Sequence, residues 1–167
     1  MTLAEFNALP VARAREELLR CCGCSRWASA VLEARPFQGK PGLLAASDTI
    51  WAKTGKADWL EAFSHHPRIG GRDALRAKFA ATSAWAQAEQ VGAVNAGEAV
   101  LDALSAGNAE YENKFGFIFV VCATGKSAAE ILDLLKSRLP NDAATEMGLA
   151  AGEQNKITKI RLEKLLS

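Results

Sequence analysis

Three polar side chains sit where they could do chemistry on a small molecule. On the closing stretch from Ala143 to Leu166, Ile157 and Leu165 recur at helical spacing, and midway between them stands Arg161. An arginine on that stripe can lay its stem along the core and send its guanidinium to solvent or to an internal carboxylate. It can equally serve as an anion clamp, because its planar fork suits a carboxylate or a urea-type carbonyl. Glu89 follows Trp85 by four residues and has small neighbours in Ala88 and Ala93, an arrangement that leaves room for a pocket. Desolvation there would disfavour the charged carboxylate and suit it to proton transfer near neutral pH; the alternative is a solvated helix residue. His66 lies in Phe63-Ser64-His65-His66-Pro67-Arg68-Ile69-Gly70-Gly71, where Pro67 ends a helix and two glycines delay the next. A histidine at such a junction can face a cleft and titrates near neutrality, or it is a surface cap; His65 reads as the less constrained of the pair.

The cysteines do not suggest metal or disulfide chemistry. Cys21, Cys22 and Cys24 crowd one turn and Cys122 stands apart, whereas a disulfide framework needs separated partners. The three are too close to wrap one tetrahedral zinc, and neither histidine has a His-x-x-x-His partner. They read as small, semi-buried hydrophobes at a helix end, with no metal site.

Helices must position these groups. Alanine occurs 32 times against 20 for valine, isoleucine and threonine together, which favours helix over sheet. Start signals recur at Thr2 with Glu5, Pro10, Ser25, Asp58, Asn108, and Ser127 with Glu130; stop signals answer at Gly23, Gly107 and Pro140. The expectation is an all-α, single-domain bundle of about seven to nine helices over residues 1–167. Two stretches stand out. Arg35 to Leu43, with Pro36, Gly39, Pro41 and Gly42, reads as an ordered loop that could cover a site. The run Phe115 to Ala123 is apolar, aromatic and β-branched like a buried strand, yet it has no partner strand, so its backbone groups need helix, side chains or a ligand.

Composition removes several classes of function. The 167 residues hold 49% hydrophobic and 23% charged side chains, enough for a core, and 20 basic against 19 acidic residues leave a formal charge of +1. That balance lacks the basic excess of a nucleic-acid or anionic-membrane binder. Apolar stretches such as Phe115–Ala123 fall far short of the roughly 20 residues that cross a bilayer. Met1–Leu9 has no signal-peptide pattern and Lys164-Leu165-Leu166-Ser167 is not a peroxisomal ending, so a bacterial-type, reducing cytoplasm is expected.

Taken together, the motifs resemble the 2-oxo-4-hydroxy-4-carboxy-5-ureidoimidazoline (OHCU) decarboxylase family, which completes the route from urate to (S)-allantoin. The resemblance runs nearly end to end. It is carried by Cys21-Cys22-Gly23-Cys24-Ser25-Arg26-Trp27 with Arg35-Pro36-Phe37, by His66-Pro67-Arg68-Ile69-Gly70-Gly71, and by Glu89-Gln90-Val91-Gly92. It continues through the stretch from Asn108 to Ser127, through Arg138-Leu139-Pro140-Asn141-Asp142, and through Lys156-Ile157 with Arg161-Leu162. The resemblance implies an all-α enzyme without metal or organic cofactor, commonly a homodimer, with His66, Glu89 and Arg161 at the catalytic positions. Pro67, Gln87, Gln90, Phe119, Val120, Val121, Cys122 and Ala123 would line the substrate pocket. Urate oxidase and hydroxyisourate hydrolase would be its pathway neighbours. One departure is Ala86, where the family usually has a serine; that hydroxyl contact is missing here or supplied by Gln87, Ser83 or water. Two rival readings are a related helical enzyme acting on another small carboxylated or ureido compound, and a non-catalytic helical interaction module. The module gives no reason for His66, Glu89 and Arg161 to occur together.

Overall fold

In the computed structural model of the chain, which describes residues 1–67, 71–80 and 91–167, every regular element is a helix. Nine occur among the described residues: α1 Leu3–Ala8, α2 Val11–Cys21, α3 Ser25–Glu33, α4 Lys40–Trp51, α5 Lys56–Ser64, α6 Arg72–Ala80, α7 Val91–Phe115, α8 Ala128–Arg138 and α9 Ala143–Leu165. The all-α expectation is met. Two compact units emerge, Met1–His66 with Leu149–Ser167, and Pro67–Gly148. Among the described residues no helix is long and apolar enough to cross a membrane.

The first unit is built around α3, which packs on α2, α4 and α5. Trp27, Ala28 and Val31 of α3 are fully buried, as are Ala14 and Leu18 of α2 and Leu43 of α4, with apolar positions recurring every three or four residues as an amphipathic helix requires. Thr2 and Glu5 close a capping box on α1, and the Asp58 carboxylate accepts from Gly55 N–H at the start of α5. The expected loop at Arg35 to Leu43 is shorter in the structure. Gly39 caps α4, and Pro41 sits in its first turn, where a missing N–H costs nothing. What remains of the loop is tied to α1 and the residues after it. Arg35 donates to Phe6 O and Leu9 O at 2.9 and 3.1 Å, while Asn7 and Phe37 exchange two hydrogen bonds at 2.9 and 3.0 Å.

In the second unit Gly107 and Asn108 neither stop nor start a helix, because α7 runs unbroken through them. Gly107 is instead a packing notch. A Cβ there would lie 2.5 Å from Leu135 Cδ2, a side chain of α8 that is itself fully buried. The capping box of Ser127 and Glu130 opens α8, and Leu139 with Pro140 follows its end, as expected.

The strand-like run is not a strand. Phe115 is the last residue of α7, Gly116 turns the chain with φ of 78°, and 118–123 continue without regular structure. Cationic side chains take up carbonyls that a sheet would have paired. Arg138 donates to Val120 O at 2.8 Å and Lys126 to Cys122 O at 3.0 Å. The Arg138 guanidinium also lies 4.6 Å from the Phe119 ring centroid and pairs with Glu146, a carboxylate with no solvent exposure. Glu146 accepts further hydrogen bonds from Tyr111 and, at 3.1 Å, from Asn141. Burial and the Glu146 carboxylate push the Tyr111 phenol well above its ordinary range, so it stays a donor.

Candidate active site

His66 stands just past the end of α5, and its place is set by the turn after α2. A Cβ on Gly23 would lie 2.4 Å from both Cβ and Cγ of His65, so only glycine lets α5 end where it does. Two more contacts hold α5 to the start of α3. Glu61 accepts from Ser25 Oγ and N at 2.6 and 3.1 Å, and Asp58 pairs with Arg26 at 3.2 Å. A carboxylate at that helix start also meets the positive end of the α3 dipole. His65 is therefore not the loose member of the pair. Its Nδ1 donates to Glu61 O at 2.9 Å, and its side chain rests against Gly23.

His66 Nε2 lies 2.5 Å from Gln154 Oε1 on α9. Gln154 has no exposure and its amide donates to Thr158 Oγ1 at 3.2 Å and to Cys22 Sγ at 4.0 Å. Thr158, 1% exposed, donates its hydroxyl proton to Gln154 O at 3.0 Å. The sequence pattern put Ile157, Arg161 and Leu165 on the buried stripe of this helix. In the structure Ala150, Gln154, Thr158 and Leu162 form that stripe, and Ile157, Arg161 and Leu165 flank it, partly exposed. The pattern misleads because Gln154 and Thr158 look like surface residues until their polar atoms are seen to be paired inside.

Arg161 Nη1 approaches the last carbonyls of α2, Arg20 O at 3.4 Å and Cys21 O at 3.3 Å. A cation there favours the helix dipole and satisfies orphan carbonyls. No carboxylate among the described residues pairs with it, so Nε and Nη2 keep donors for an anionic ligand.

Cys21, Cys22 and Cys24 are buried around this turn as thiols, and Cys122 is buried in the second unit. Burial pushes Cys21 up to about 11 and Cys22 to about 12, which keeps both protonated at neutral pH. Cys24 also has a local task, accepting from Trp27 N at 3.4 Å as the cap of α3. Among the described residues no cluster of His, Cys, Asp or Glu could hold a metal ion.

Of the sequence-predicted site residues, His66 and Arg161 fall in the first unit, with Gln154 and Thr158 on the same helix as Arg161. Phe119, Val120, Val121, Cys122 and Ala123 fall in the second, where Val120 and Cys122 are buried and the others partly exposed. Pro67 directly follows His66 and is exposed. Glu89, Gln87, Gln90, Ala86, Trp85 and Ser83 lie outside the described residues, as do Arg68, Ile69 and Gly70.

A family model for OHCU decarboxylase matches residues 7–163. The chain belongs to the OHCU decarboxylase family. Among its relatives, the uric acid degradation bifunctional protein TTL of Arabidopsis thaliana is 38% identical over 149 residues, 88% of this chain and 45% of that protein. The chain thus spans less than half the length of that relative. The 2-oxo-4-hydroxy-4-carboxy-5-ureidoimidazoline decarboxylase of Amia calva is 34% identical over 148 residues, 86% of this chain and 81% of that protein. An OHCU decarboxylase crystallised in the presence of (S)-allantoin has 34% sequence identity and a TM-score of 0.72, covering 90% of this chain and 97% of its own. The all-α architecture and the motif-borne resemblance agree with these likenesses.

Proposed function

We propose that the chain acts as a single OHCU decarboxylase domain that converts 2-oxo-4-hydroxy-4-carboxy-5-ureidoimidazoline to (S)-allantoin. Family membership supports the reaction class. The observation that carries the reading to particular residues is the polar line from His66 through Gln154 to Thr158, buried among helices, with Arg161 one turn further along α9.

The reaction breaks the bond between a ring carbon and its carboxylate, releasing carbon dioxide. The electron pair passes into the ring through the conjugated imine, and a proton is then delivered to one face of the ureido-bearing carbon. Three tasks follow: anchoring the anionic substrate, handling the proton of the hydroxyl on the reacting carbon, and supplying the new proton from one side. Arg161 takes the first, with the donors that α2 leaves unspent. His66 orients or deprotonates the hydroxyl side, and Glu89 binds ring or ureido N–H and relays the proton. The Phe119–Ala123 backbone, Pro67, Gln87 and Gln90 are proposed to contact the substrate, and the apolar side chains of the run to exclude water.

No step in this scheme requires a metal or organic cofactor. The proposed partners are a second copy of the chain, as a homodimer, and the enzymes that supply OHCU, urate oxidase and hydroxyisourate hydrolase. The proposed location is the cytoplasm. To test the reading, OHCU is generated in place from urate with those two enzymes, and its disappearance is followed with increasing protein and with a chelator present. Decay that accelerates in proportion to protein and survives chelation is expected; decay at the spontaneous rate would refute the reading.

A further inference from the structure

Donor counting along the buried line places a hydrogen on His66 Nε2. Thr158 has one hydroxyl hydrogen, and it goes to Gln154 O at 3.0 Å, so Thr158 Oγ1 must accept from the Gln154 amide at 3.2 Å. The second amide hydrogen points to Cys22 Sγ at 4.0 Å, a thiol kept neutral by burial. Both hydrogens of the amide are thereby placed, and the end facing His66 Nε2 at 2.5 Å is the oxygen, which can only accept. Next door, His65 Nδ1 faces Glu61 O at 2.9 Å, a carbonyl that also can only accept. His65 thus presents an Nδ1–H and His66 an Nε2–H, each to an oxygen that accepts.

We propose that Gln154 is a positioning residue for His66, holding its imidazole through an Nε2–H donated to the Gln154 amide oxygen. This deepens the decarboxylase reading and rests on it. A glutamine with no exposure costs desolvation unless its polar atoms are paired, and the partner of its oxygen is His66. Thr158 and Cys22 hold the amide in turn, so its oxygen cannot swing away from the ring.

The chain has only two histidines, so the test is direct. Long-range proton–nitrogen correlation on 15N-labelled protein at about pH 8.5, above the histidine range, reads each ring's tautomer, and His65→Gln assigns the pair. We expect Nδ1–H at His65 and Nε2–H at His66. In Gln154→Met the His66 signals should shift toward a tautomer mixture and kcat should fall by on the order of tenfold, with KM changing by less than about threefold. Gln154→Glu, which keeps an acceptor facing Nε2, should retain Nε2–H and recover most of kcat. Nδ1–H at His66 in the wild-type protein overturns the proposal without reference to any variant's folding. So does Gln154→Met with unchanged tautomer and kcat. A wild-type protein inert toward OHCU would remove the reaction itself, whereas Nδ1–H at His66 in an active protein would remove the positioning role alone.

Discussion

Arg161 caps α2 with one arm of its guanidinium and is proposed to hold substrate with the rest, and substitution separates the two. Nη1 caps α2 through Arg20 O and Cys21 O, a half-exposed contact that a lysine ammonium can replace. The remaining fork, which lysine lacks, is the part assigned to substrate. Arg161→Lys should therefore leave the melting temperature nearly unchanged while lowering turnover by tenfold or more, about 1.4 kcal/mol per factor of ten. Paired melts and rate measurements check this; full activity in a stable Arg161→Lys would take Arg161 out of the site. The thiols make a second prediction. Cys21 and Cys22 ionise at about 11 and about 12 in the folded chain against 9.0 when unperturbed. Above pH 9 the unfolded state therefore binds fewer protons than the folded one, and stability falls as pH rises toward the folded values. Denaturant titrations from about pH 8 to 10 should lose on the order of 1 kcal/mol per thiol, and Cys22→Ala should lose less than the wild type. An equal loss in both would contradict the assignment. At this scale Pro67 marks the helix end at which His66 stands, whereas the spacing sets Arg161 on a buried stripe that it only flanks. Gln154 and Thr158 were not legible, because a polar residue at a helical interval reads as solvent-facing until a buried partner is known.

Among the elements, α5 and the run after α7 are held by contacts between residues distant in sequence, Gly23 with His65 and Arg138 with Val120. Gly23 lets the end of α5 approach, so Gly23→Ala must displace His65, whose Cβ is fixed to the backbone, and His66 with it. Activity should drop at least tenfold and the melt should fall, a loss of the overpacking size of about 1–3 kcal/mol. Wild-type kinetics in Gly23→Ala would mean that His66 needs no such seat. For the run, Arg138→Met strips the Glu146 carboxylate of its cation inside the protein and frees Val120 O. Removing one partner of a buried pair costs about 3–5 kcal/mol, so the melting temperature should drop by on the order of 10 °C. Adding Glu146→Gln to Arg138→Met should restore part of that loss, as measured by a double-mutant cycle; no recovery would argue that the pair is not coupled. Caps at Thr2, Ser127 and Leu139–Pro140 were readable because capping is local chemistry. Gly107 was misread as a stop because its role is a contact with Leu135, distant in sequence. The strand-like Phe115–Ala123 was ambiguous because side chains far along the chain, Arg138 above all, supply what a neighbouring strand would have supplied.

For the molecule as a whole, helix class followed from alanine content and periodicity, and family from the joint occurrence of motifs that are individually weak. The near-neutral charge of +1 removes long-range attraction to polyanions, so the proposed recognition of a small anion would fall to local donors such as Arg161. If the proposed reaction holds, what the site would add to a substrate expected to decay unaided is handedness as much as speed, since solution protonation has no preferred face. The most direct measurement is therefore circular dichroism of the product formed when OHCU, made from urate by urate oxidase and hydroxyisourate hydrolase, is consumed with the protein present. The account predicts rapid appearance of optically active (S)-allantoin; racemic product formed at the spontaneous rate, even at high protein concentration, would contradict it.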